Sequence, residues 1–552
     1  MRMSLLITAL LLSALSVRSS AQTPPSPEAA RDWITWGYDQ ERSGWNRGER
    51  SLTPANVRGL RLKWNVQVST TPKDVVLSTL TTPLVAEGVA MADGRKDMVF
   101  VQGADGSVFA LDADTGKNLW QKDFPSGIAP QRTADINCAN AVQATPTIDK
   151  ARGLIFFTTS DGKLHALALA TGEERMTPID MVAPYSRSWS LNLIDNVVYV
   201  ASARGCGNGR PVEWGSVSAM DVSDLAHPQL SRTYTSKGRP AGPWGRGGAV
   251  KGPKGVYVQT SDGPNDPGAG IFGNAIVAIL PKAYGIADSF IASNWKYLNG
   301  RDLDFGSGGP VVFPHGKRSL LAAGGKEAVV YLLDANNLAG PSSGNTSAGN
   351  TGISDHARPL YQSPRLGNDE QTYSGLGIWG GLSTYVSDKG ERWLYVPMWG
   401  PPAQQGPSFK IRNGEAPHGS VMAFRVVGDD AVSLDPAWIS RDLFLPDSVA
   451  VANGVVYAVQ TAEQAIQHPD NPEGHGRAIP GKHQLTLEEL ARFRSTPVTT
   501  MTLFALDAET GKQLYSSGKV LSSFTHFTQP VVALGKVFLV DHDSHVYAFG
   551  LK

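Results

Sequence analysis

Two acidic residues separated by a single position, Asp302 and Asp304, are the first candidates for chemistry in this sequence of 552 residues. They lie in the stretch NGRDLDFGSGGPVV, and as alternate residues of a strand they would face the same side. Paired carboxylates can cleave polysaccharides, but these two are too close to flank a sugar in the inverting geometry. The spacing therefore argues against a polysaccharide hydrolase or lyase, and leaves carboxylate oxygens that suit a hard metal ion.

Three other patterns resemble known sites, and their context argues against each. Residues 268–273 (GAGIFG) match the dinucleotide fingerprint, but the strand-like NAIVAIL follows where that fingerprint needs a helix. Residues 340–344 (GPSSG) match the nucleophile elbow, but they lie in a Gly- and Ser-rich loop. His468, His475 and His483 have irregular spacing and no framing carboxylate, which favours solvated loop histidines over a metal cluster.

Composition and charge exclude further classes of protein. Lys and Arg together number 50, as do Asp and Glu, so nothing indicates a nucleic-acid or polybasic membrane surface. The 59 glycines and 36 prolines are typical of a turn-rich, all-β protein. The opening MRMSLLITALLLSALSVRSSAQTPP predicts a secretory signal cleaved after Ala21. No later apolar run reaches the length of about 18 residues that a membrane span needs, so we expect a soluble, periplasmic or secreted protein.

The two cysteines, Cys138 and Cys206, can form a disulfide in an exported protein or remain unpaired. The sequence contains no Cys-x-x-Cys-His, so it carries no covalently attached c-type haem.

The elements that must position a site form a repeat. ALDADTGKNLW (110–120), ALALATGEER (166–175) and ALDAETGKQLY (505–515) share one pattern of strand, Thr-Gly turn and strand. Asp105-Gly106 and Asp161-Gly162 add a preceding turn, at the same spacing as the first two Thr-Gly turns. Such a unit recurring every ~40–60 residues is typical of a propeller blade, which needs neighbouring blades to cover its faces.

The strand clusters predict an eight-bladed β-propeller of four-stranded antiparallel blades. They begin near Thr81, Gln143, Ser188, Gly247, Gly306, Gly377, Ser448 and Phe527. LRLKWNVQV (60–68) precedes the first blade and can complete the last one, PVVALGKVFLVDHDSHVYAFG (530–550), so we expect an N-terminal strand to close the ring. Trp64 and Trp120 end outer strands, where each can pack between blades with its N–H near a carbonyl.

The predicted organisation is a signal peptide at 1–21, a lead-in segment at 22–58 and the propeller at 59–552. Residues 340–376 and 462–497 break the repeat and are expected to be insertions, the first a long surface loop. The second contains one short helix, LTLEELARF, with Thr486 and Glu489 as a capping box.

The blade sequence ALDADTGKNLW resembles the repeat of quinoprotein dehydrogenases that use pyrroloquinoline quinone (PQQ). The segment WITWGYDQERSGWNRGERSLTPANVRGLRLKW (33–64) also resembles the lead-in of that family, and the similarity extends over nearly the whole mature chain. It is nearest to the soluble branch that includes polyvinyl-alcohol dehydrogenases. Non-enzymatic propellers such as outer-membrane assembly lipoproteins share the repeat, so the site residues must decide between enzyme and scaffold.

The resemblance implies a set of site residues in the family's chain order. PQQ is a flat, tricarboxylated ortho-quinone that needs an aromatic plane, cationic partners and a hard metal ion, Ca²⁺ or a lanthanide. Similar segments place Trp244 beneath the quinone, Glu213 and Asn265 among the metal ligands, and Lys326 beside the quinone oxygens. Each residue alone has an ordinary explanation in a loop or between blades, and it is their joint occurrence that favours the site.

The same resemblance leaves the catalytic base open. Either Asp302 is the base and Asp304 an extra metal ligand, as in lanthanide-using members, or Asp304 is the base. Arg132, Trp379 and the segment FTHFTQP around His526 are further pocket candidates.

The adjacent-cysteine ring of the methanol dehydrogenase relatives is missing from the sequence, and a bridge between Cys138 and Cys206 would instead join neighbouring blades. The expected function is oxidation of an alcohol or polyol by hydride transfer to metal-bound PQQ, with electrons passing to an external cytochrome c or similar acceptor. The alternative is a non-catalytic propeller that serves as a binding or assembly scaffold.

Overall fold

We describe the protein from a computed structural model, which covers residues 31–68, 79–129, 142, 144–204, 214–237, 240–339, 358–466 and 486–552. Within these residues, eight antiparallel sheets follow one another along the chain. The first strands of most consecutive sheets contact each other, so the sheets stand side by side around a ring with these strands innermost. The predicted all-β, eight-bladed propeller is confirmed.

The strands are given blade by blade, from the innermost strand outward. Blades 1 to 4 consist of Leu84–Met91, Gly94–Gln102, Val108–Asp112 and Asn118–Lys122; Thr147–Asp149, Leu154–Thr158, Lys163–Ala168 and Ile179–Asp180; Asn192–Ile194, Val197–Arg204, Trp214–Asp221 and Gln229–Tyr234; and Val250–Gly252, Gly255–Gln259, Ala275–Ile279 and Ile286–Ile291. Blades 5 to 8 consist of Val311–His315, Arg318–Gly324, Val330–Asp334 and Tyr361–Gln362; Ser383–Val386, Arg392–Trp399, Gly419–Val427 and Ser433–Ile439; Ala450–Ala452, Val455–Gln460, Thr502–Asp507 and Gln513–Ser516; and Val531–Ala533, Lys536–Val540, His545–Gly550 and Arg61–Gln67.

A few short elements decorate this ring. Trp45–Asn46 adds in parallel to the innermost strand of blade 7, Ile411–Arg412 adds in parallel to the outer strand of blade 6, and Asn265–Asp266 forms a hairpin with Ile271–Phe272. The α-helices are α1 (Trp295–Arg301) and α2 (Leu487–Arg494). The 3-10 turns are Val57–Gly59, Pro267–Ala269, Pro281–Ala283 and Phe305–Ser307.

The ring closes through its two ends, as the sequence predicts. The N-terminal strand Arg61–Gln67 pairs antiparallel with His545–Gly550, with Trp64 opposite Ala548. Blade 8 therefore combines the first and last strands of the propeller, and this pairing joins the two ends of the chain in one sheet.

The Thr-Gly turn of the repeat packs one blade against the next. Gly116 has a φ of +73°, and a Cβ there would lie 2.8 Å from the Trp64 ring. Gly172 has a φ of +67°, and a Cβ there would lie 2.8 Å from the Trp120 ring. The Trp64 and Trp120 indoles donate hydrogen bonds to Ala113 O and Leu169 O, so the predicted packing of both tryptophans between blades is confirmed.

The core lies between the blades, and strand alternation divides it. In the second strand of blade 7, Val455, Tyr457 and Val459 pack into a cluster shared with blades 8 and 1, whereas Val456 and Ala458 pack into a cluster shared with blade 6. Successive side chains of a strand point to opposite faces of the sheet. Each blade is therefore buried on both faces, which explains the near-continuous apolar runs of its inner strands.

The two predicted insertions are more closely built into the ring than the sequence suggests. Tyr361–Gln362, inside the segment expected to be a long loop, is the outer strand of blade 5 and pairs with the strand Val330–Asp334. In the second insertion the capping box is confirmed, since Thr486 N donates to a Glu489 carboxylate oxygen and Glu489 N to Thr486 Oγ1. Among the described residues no helix is long and apolar enough to cross a membrane.

Candidate active site

A cavity of about 410 Å³ opens at one end of the ring, which we call the upper face. Its lining comes from blades 3 to 8, mostly from segments that precede the innermost strands and from the ends of the second strands or the turns after them. The start of a first strand and the end of an antiparallel second strand lie at the same edge of a sheet. The fold therefore gathers these chain segments, which are distant in sequence, around one pocket.

Asp302 and Asp304 reach this pocket from the connection between blades 4 and 5. Asp302 ends helix α1 in a left-handed conformation with a φ of +56°, and Asp304 directly precedes the 3-10 turn Phe305–Ser307. The expectation that both acids lie on a strand is wrong, because α1 ends at Arg301 and the innermost strand of blade 5 begins only at Val311. Both carboxylates nevertheless line the same pocket.

A third carboxylate, Asp262, joins them from the turn after the second strand of blade 4. One ligand oxygen of each of Asp262, Asp302 and Asp304 lies within 4.8 Å of the others. We call these three residues the acidic triad. Asp262 N donates to Asp304 Oδ1 at 2.9 Å, and Asn274 Nδ2 donates to Asp262 Oδ1 at 2.8 Å. Asn274 is fully buried and also accepts from Phe305 N at 2.8 Å, so it ties the Asp262 turn to the segment that carries Asp304.

Lys326 supplies the positive charge of this end of the pocket. It follows the second strand of blade 5, and its ammonium lies 2.6 Å from Asp304 Oδ2. The same Nζ donates to the backbone oxygen of Asp302 at 3.0 Å and to Asp302 Oδ1 at 3.3 Å. The Lys326 side chain is 2% exposed, so one buried cation holds two members of the acidic triad.

The charges of this cluster shift its proton equilibria. Burial raises the pKa of Asp262 to about 8, and the neighbouring carboxylate of Asp304 adds to this rise. Burial also raises the pKa of Asp302 to about 6, although the Lys326 ammonium opposes the rise. Burial disfavours the charged form of Lys326, but Asp304 and Asp302 outweigh it and raise the pKa of Lys326 to about 12. At neutral pH the ammonium is charged, and the acidic triad is partly protonated.

Aromatic rings form the walls beside this cluster. The ring of Trp244 meets that of Trp379 edge to face at 5.6 Å, and Trp379 stacks on Trp399 at 4.9 Å. The Lys326 ammonium lies 5.1 Å from the centre of the Trp244 ring and 5.0 Å from that of Trp379. Trp244 Nε1 is buried and has no hydrogen-bond partner among the described residues. The pocket thus offers an aromatic surface, a cation and an unused N–H donor side by side.

His526 lines the same pocket and is 2% exposed. Its Nδ1 forms a hydrogen bond with a carboxylate oxygen of Glu463, which is also 2% exposed. Burial lowers the pKa of His526 well below its ordinary value, and the charges of Arg494 and Arg246 add to this effect. The imidazole is therefore neutral at physiological pH.

The structure brings together six of the residues singled out in the sequence: Trp244, Asp302, Asp304, Lys326, Trp379 and His526. Asn265 is not among the residues that line this pocket; its amide nitrogen donates to the carbonyl of Gly273 at 2.5 Å. The remaining candidates, Glu213 and Arg132, lie outside the described residues, as do Cys138, Cys206, His468, His475, His483 and the GPSSG motif.

Sequence reasoning missed Asp262, although the repeat carries a signal for it. The segment TSDG occurs twice, at 159–162 in blade 2 and at 260–263 in blade 4. In both blades it follows the second strand, so aligning the two turns places Asp262 at the upper face. Asn274 carries no comparable signal, because a buried asparagine that joins two turns cannot be distinguished in sequence from a loop asparagine.

This arrangement can bind a hard cation and a planar anion together. Three carboxylates within reach of one point are the oxygen ligands that Ca²⁺ and related ions prefer. Lys326 and Trp244 then lie beside that point, as a charge and as an aromatic face. The GAGIFG segment is followed by the strand Ala275–Ile279, as predicted, and not by the helix that a dinucleotide-binding fingerprint needs.

Sequence comparisons match this chain to one family model and to several alcohol dehydrogenases. A family model described as outer membrane protein assembly factor BamB matches residues 35–224. The quinohemoprotein alcohol dehydrogenase ADH-IIG of Pseudomonas putida is 26% identical over 248 residues, which is 43% of this chain and 31% of that protein. The 1-butanol dehydrogenase (cytochrome c) of Thauera butanivorans is 27% identical over 36% of this chain and 26% of its own length. The polyvinylalcohol dehydrogenase of a Sphingopyxis strain is 26% identical over 34% and 25%. Each match spans less than a third of the relative's length.

Solved structures agree on the fold. The quinohemoprotein alcohol dehydrogenase of Comamonas testosteroni superposes with a TM-score of 0.58 and 16% identity, over 95% of this chain and 81% of that one. A europium-containing methanol dehydrogenase gives a TM-score of 0.59 and 14% identity, over 94% and 98%. At this identity the structural likeness shows the fold alone. With the sequence matches, it confirms the predicted resemblance to PQQ-dependent alcohol dehydrogenases.

Proposed function

We propose that this chain, which resembles PQQ-dependent alcohol dehydrogenases in sequence and fold, is itself a metal-dependent quinoprotein dehydrogenase that oxidises an alcohol or polyol. The observation that carries the proposal is the acidic triad, bound to Lys326 and placed beside Trp244 in one pocket of the upper face. A scaffold has no need to bury a lysine among three carboxylates, since burying charge costs free energy.

The residues present fit both the cation and the quinone. Asp262 and Asp304 would hold a Ca²⁺ or lanthanide ion, because carboxylate oxygens are its preferred ligands. Trp244 would provide the plane beneath PQQ, and its unpartnered Nε1 is consistent with a polar ligand in the pocket. When bound, PQQ supplies a quinone that accepts a hydride from the alcohol carbon, while the cation polarises its carbonyl. Asp262 replaces Asn265 in this assignment because only Asp262 lines the pocket.

Asp302 is the better candidate for the base that takes the hydroxyl proton. Its side chain is 41% exposed, whereas that of Asp304 is 10% exposed. Asp304 also accepts from Asp262 N and pairs with Lys326, so each of its oxygens already has one partner, and each keeps a second lone pair that can bind a metal ion. A general base works best when its pKa lies near the working pH, and burial raises the pKa of Asp302 to about 6.

Lys326 orients this base and stabilises negative charge. Its Nζ fixes Asp302 through both the backbone oxygen and the carboxylate. A preorganised ammonium beside the quinone oxygens would stabilise charge that develops there as the hydride arrives.

The direct test is reconstitution. The purified mature chain is mixed with PQQ and with Ca²⁺ or La³⁺, and alcohols and polyols are screened with an artificial electron acceptor. We expect oxidation only when PQQ and one of the metals are both present. A folded protein that neither binds PQQ nor oxidises any alcohol with either metal would contradict the proposal.

That negative result would favour the alternative, a non-catalytic propeller that binds proteins or polymers. The match of residues 35–224 to a family model of an assembly factor favours this alternative. However, Trp244, the acidic triad and Lys326 all lie beyond residue 224, so the matched segment does not contain the residues on which the proposal rests. Capture of a partner by the folded chain without PQQ would support the scaffold.

The cellular setting is part of the proposal. The N-terminal sequence pattern supports export to the periplasm or secretion, and electrons would pass to an external cytochrome c or similar acceptor. The printed name of one relative, 1-butanol dehydrogenase (cytochrome c), supports that acceptor. Fractionation of cells and reduction of a purified cytochrome c by the reconstituted chain test these two points separately.

A further inference from the structure

A second group of charges lies at the pocket, and the proposed chemistry does not use it. Arg187 and Arg494 line the pocket, and Arg246 lines a smaller neighbouring cavity that shares His526 and Phe527 with it. We call Arg187, Arg246 and Arg494 the arginine cluster. Arg246 and Arg494 are each only 6% exposed, so two guanidinium groups are almost fully withdrawn from water.

Rings and neighbouring elements hold the arginine cluster in place. Arg187 and Arg246 lie on the ring of Trp189, at 5.3 and 4.8 Å from its centre. Arg187 also lies 5.2 Å from the centre of the Trp244 ring. Arg494 is the last residue of helix α2, which lies in the second insertion. The cluster is therefore assembled from blades 3 and 4 and from the inserted segment of blade 7.

Among the described residues, the positive charge of Arg246 and Arg494 is not fully balanced. The carboxylates that act on Arg246 are Asp447 and Glu463, and both are almost fully buried. Glu463 is also the carboxylate that acts on Arg494. Burial raises the pKa of Glu463 well above its ordinary value, which favours its neutral form. Buried charge that is incompletely balanced is costly, so the arrangement favours an additional anion.

Part of the hydrogen-bonding capacity of these side chains is also unused. The Nε groups of Arg246 and Arg494 are buried and have no hydrogen-bond partner among the described residues. In Arg494 this donor belongs to a pocket-lining side chain. Leaving a buried donor without a partner costs free energy, a cost that a bound ligand can remove.

The arginine cluster and the acidic triad have different main charge partners. The largest charge effects on Asp262 come from Asp304, Asp302 and Lys326, whereas those on Arg246 come from Asp447, Glu463 and the two other arginines. The pocket is therefore lined by one group of residues that suits a cation and by another that suits an anion. A ligand that contacts both groups would offer oxygen atoms to the metal and negative charge to the arginines.

We propose that Arg187 and Arg494, backed by Arg246, form a carboxylate-binding subsite in this pocket. A guanidinium group presents paired N–H donors that match the two oxygens of a carboxylate. The carboxylate can come from the quinone cofactor or from the substrate, which would then be a hydroxy acid. Only this choice of source depends on the proposed dehydrogenase function; the subsite itself does not.

The first arm of the test needs no cofactor. The metal-free chain is heated with and without a simple dicarboxylate, succinate, as wild type, Arg494→Gln and Arg494→Lys. We expect succinate to raise the melting temperature of the wild type, Arg494→Gln to abolish that rise, and Arg494→Lys to keep a smaller part of it. Arg492→Gln, an exposed position on the same helix, is the matched control and should behave like the wild type.

The second and third arms identify the source of the carboxylate. If the cofactor supplies it, Arg494→Gln should weaken PQQ binding about tenfold or more in a calorimetric titration with Ca²⁺ present. If the substrate supplies it, PQQ affinity should stay unchanged, and the preference of kcat/KM for a hydroxy acid over the neutral alcohol of equal length should fall about tenfold.

The subsite is overturned if Arg494→Gln, folded by circular dichroism, retains the succinate effect, the PQQ affinity and the substrate preference of the wild type. A wild type that is stabilised by succinate but never binds PQQ would instead refute the dehydrogenase and leave the subsite standing.

Discussion

The three carboxylates of the acidic triad differ in burial, and this difference assigns their tasks. Asp304 is nearly buried and pairs with Lys326. Asp302 also pairs with Lys326, but its carboxylate is more exposed than that of Asp304. Asp262 accepts a hydrogen bond from Asn274. Under the proposed function, one residue type would thus provide both the metal ligands and the base in one pocket.

The assignment of the base predicts a contrast between two conservative variants. Asp302→Asn should keep metal-dependent PQQ binding but lower kcat by roughly 10²–10⁴-fold, the usual contribution of a general base. Asp304→Asn should weaken binding of the metal and of PQQ, because it removes a ligand and the partner of Lys326. Calorimetric titration and steady-state kinetics on both variants separate the two effects. Loss of PQQ binding in Asp302→Asn with normal binding in Asp304→Asn would reverse the assignment.

The raised pKa of Asp262, about 8, predicts a pH dependence of stability in the metal-free protein. The folded chain binds this proton more tightly than the unfolded chain, whose aspartates titrate near pH ~4. The stability that this carboxyl contributes is therefore fully present below pH ~4 and is lost as the pH rises towards 8. Between pH ~4 and pH 8, the free energy of unfolding of Asp262→Asn should therefore fall less than that of the wild type.

Urea unfolding at a series of pH values, with a chelator present, measures this difference. Asp430→Asn, at an exposed loop position, is the control and should follow the wild type. Parallel curves for the wild type and Asp262→Asn would contradict the raised pKa.

At the scale of elements, the Thr-Gly turn joins neighbouring blades, and this can be tested at matched glycines. Gly172 and Gly153 have nearly equal φ values of +67° and +68°, but a Cβ at Gly172 would lie 2.8 Å from the Trp120 ring while one at Gly153 meets open space. Alanine at either position should cost about 1–2 kcal/mol for the left-handed backbone. Gly172→Ala should cost about 1–3 kcal/mol more, through overpacking against the indole.

Chemical denaturation of Gly172→Ala and Gly153→Ala gives both free energies of unfolding. Equal losses would show that the turn needs glycine for its backbone alone and that the contact with Trp120 is incidental.

The elements also show how far the sequence predicts this protein. The blades, the closing strand and the Thr-Gly packing follow from local patterns, since alternation, turns and repeat spacing are all local properties. The site is harder to predict from the sequence, because the pocket is lined by single residues that lie near the ends of many strands. The sequence singles out Asp302 and Asp304 as site residues but suggests a strand for them. In the structure, Asp302 ends helix α1 in a left-handed conformation. The role of Asn274 rests on contacts between turns that no local pattern encodes.

At the scale of the whole molecule, ring closure makes every blade depend on its neighbours. Trp64 lies in blade 8 and packs on Gly116 of blade 1, on strands remote in sequence from those that supply the acidic triad. Trp64→Ala should lower the free energy of unfolding by about 3–5 kcal/mol, the usual cost of truncating a buried tryptophan. Because the ring is closed, secondary structure and PQQ binding should be lost together at a lower denaturant concentration.

Far-ultraviolet circular dichroism and PQQ binding, followed in the same denaturant series, test this cooperativity. Two well-separated transitions in Trp64→Ala, with PQQ binding retained after blade 8 has unfolded, would show that the ring is not one folding unit.

The proposed function requires that Asp262 and Asp304 bind a metal ion on which PQQ binding depends. The most direct measurement is a calorimetric titration of PQQ into the folded chain, with and without Ca²⁺ or La³⁺, for the wild type, Asp262→Ala and Asn265→Ala. We predict tight binding that requires the metal, is lost in Asp262→Ala and persists in Asn265→Ala. Metal-independent binding, or binding that survives in Asp262→Ala and disappears in Asn265→Ala, would contradict this account of the site.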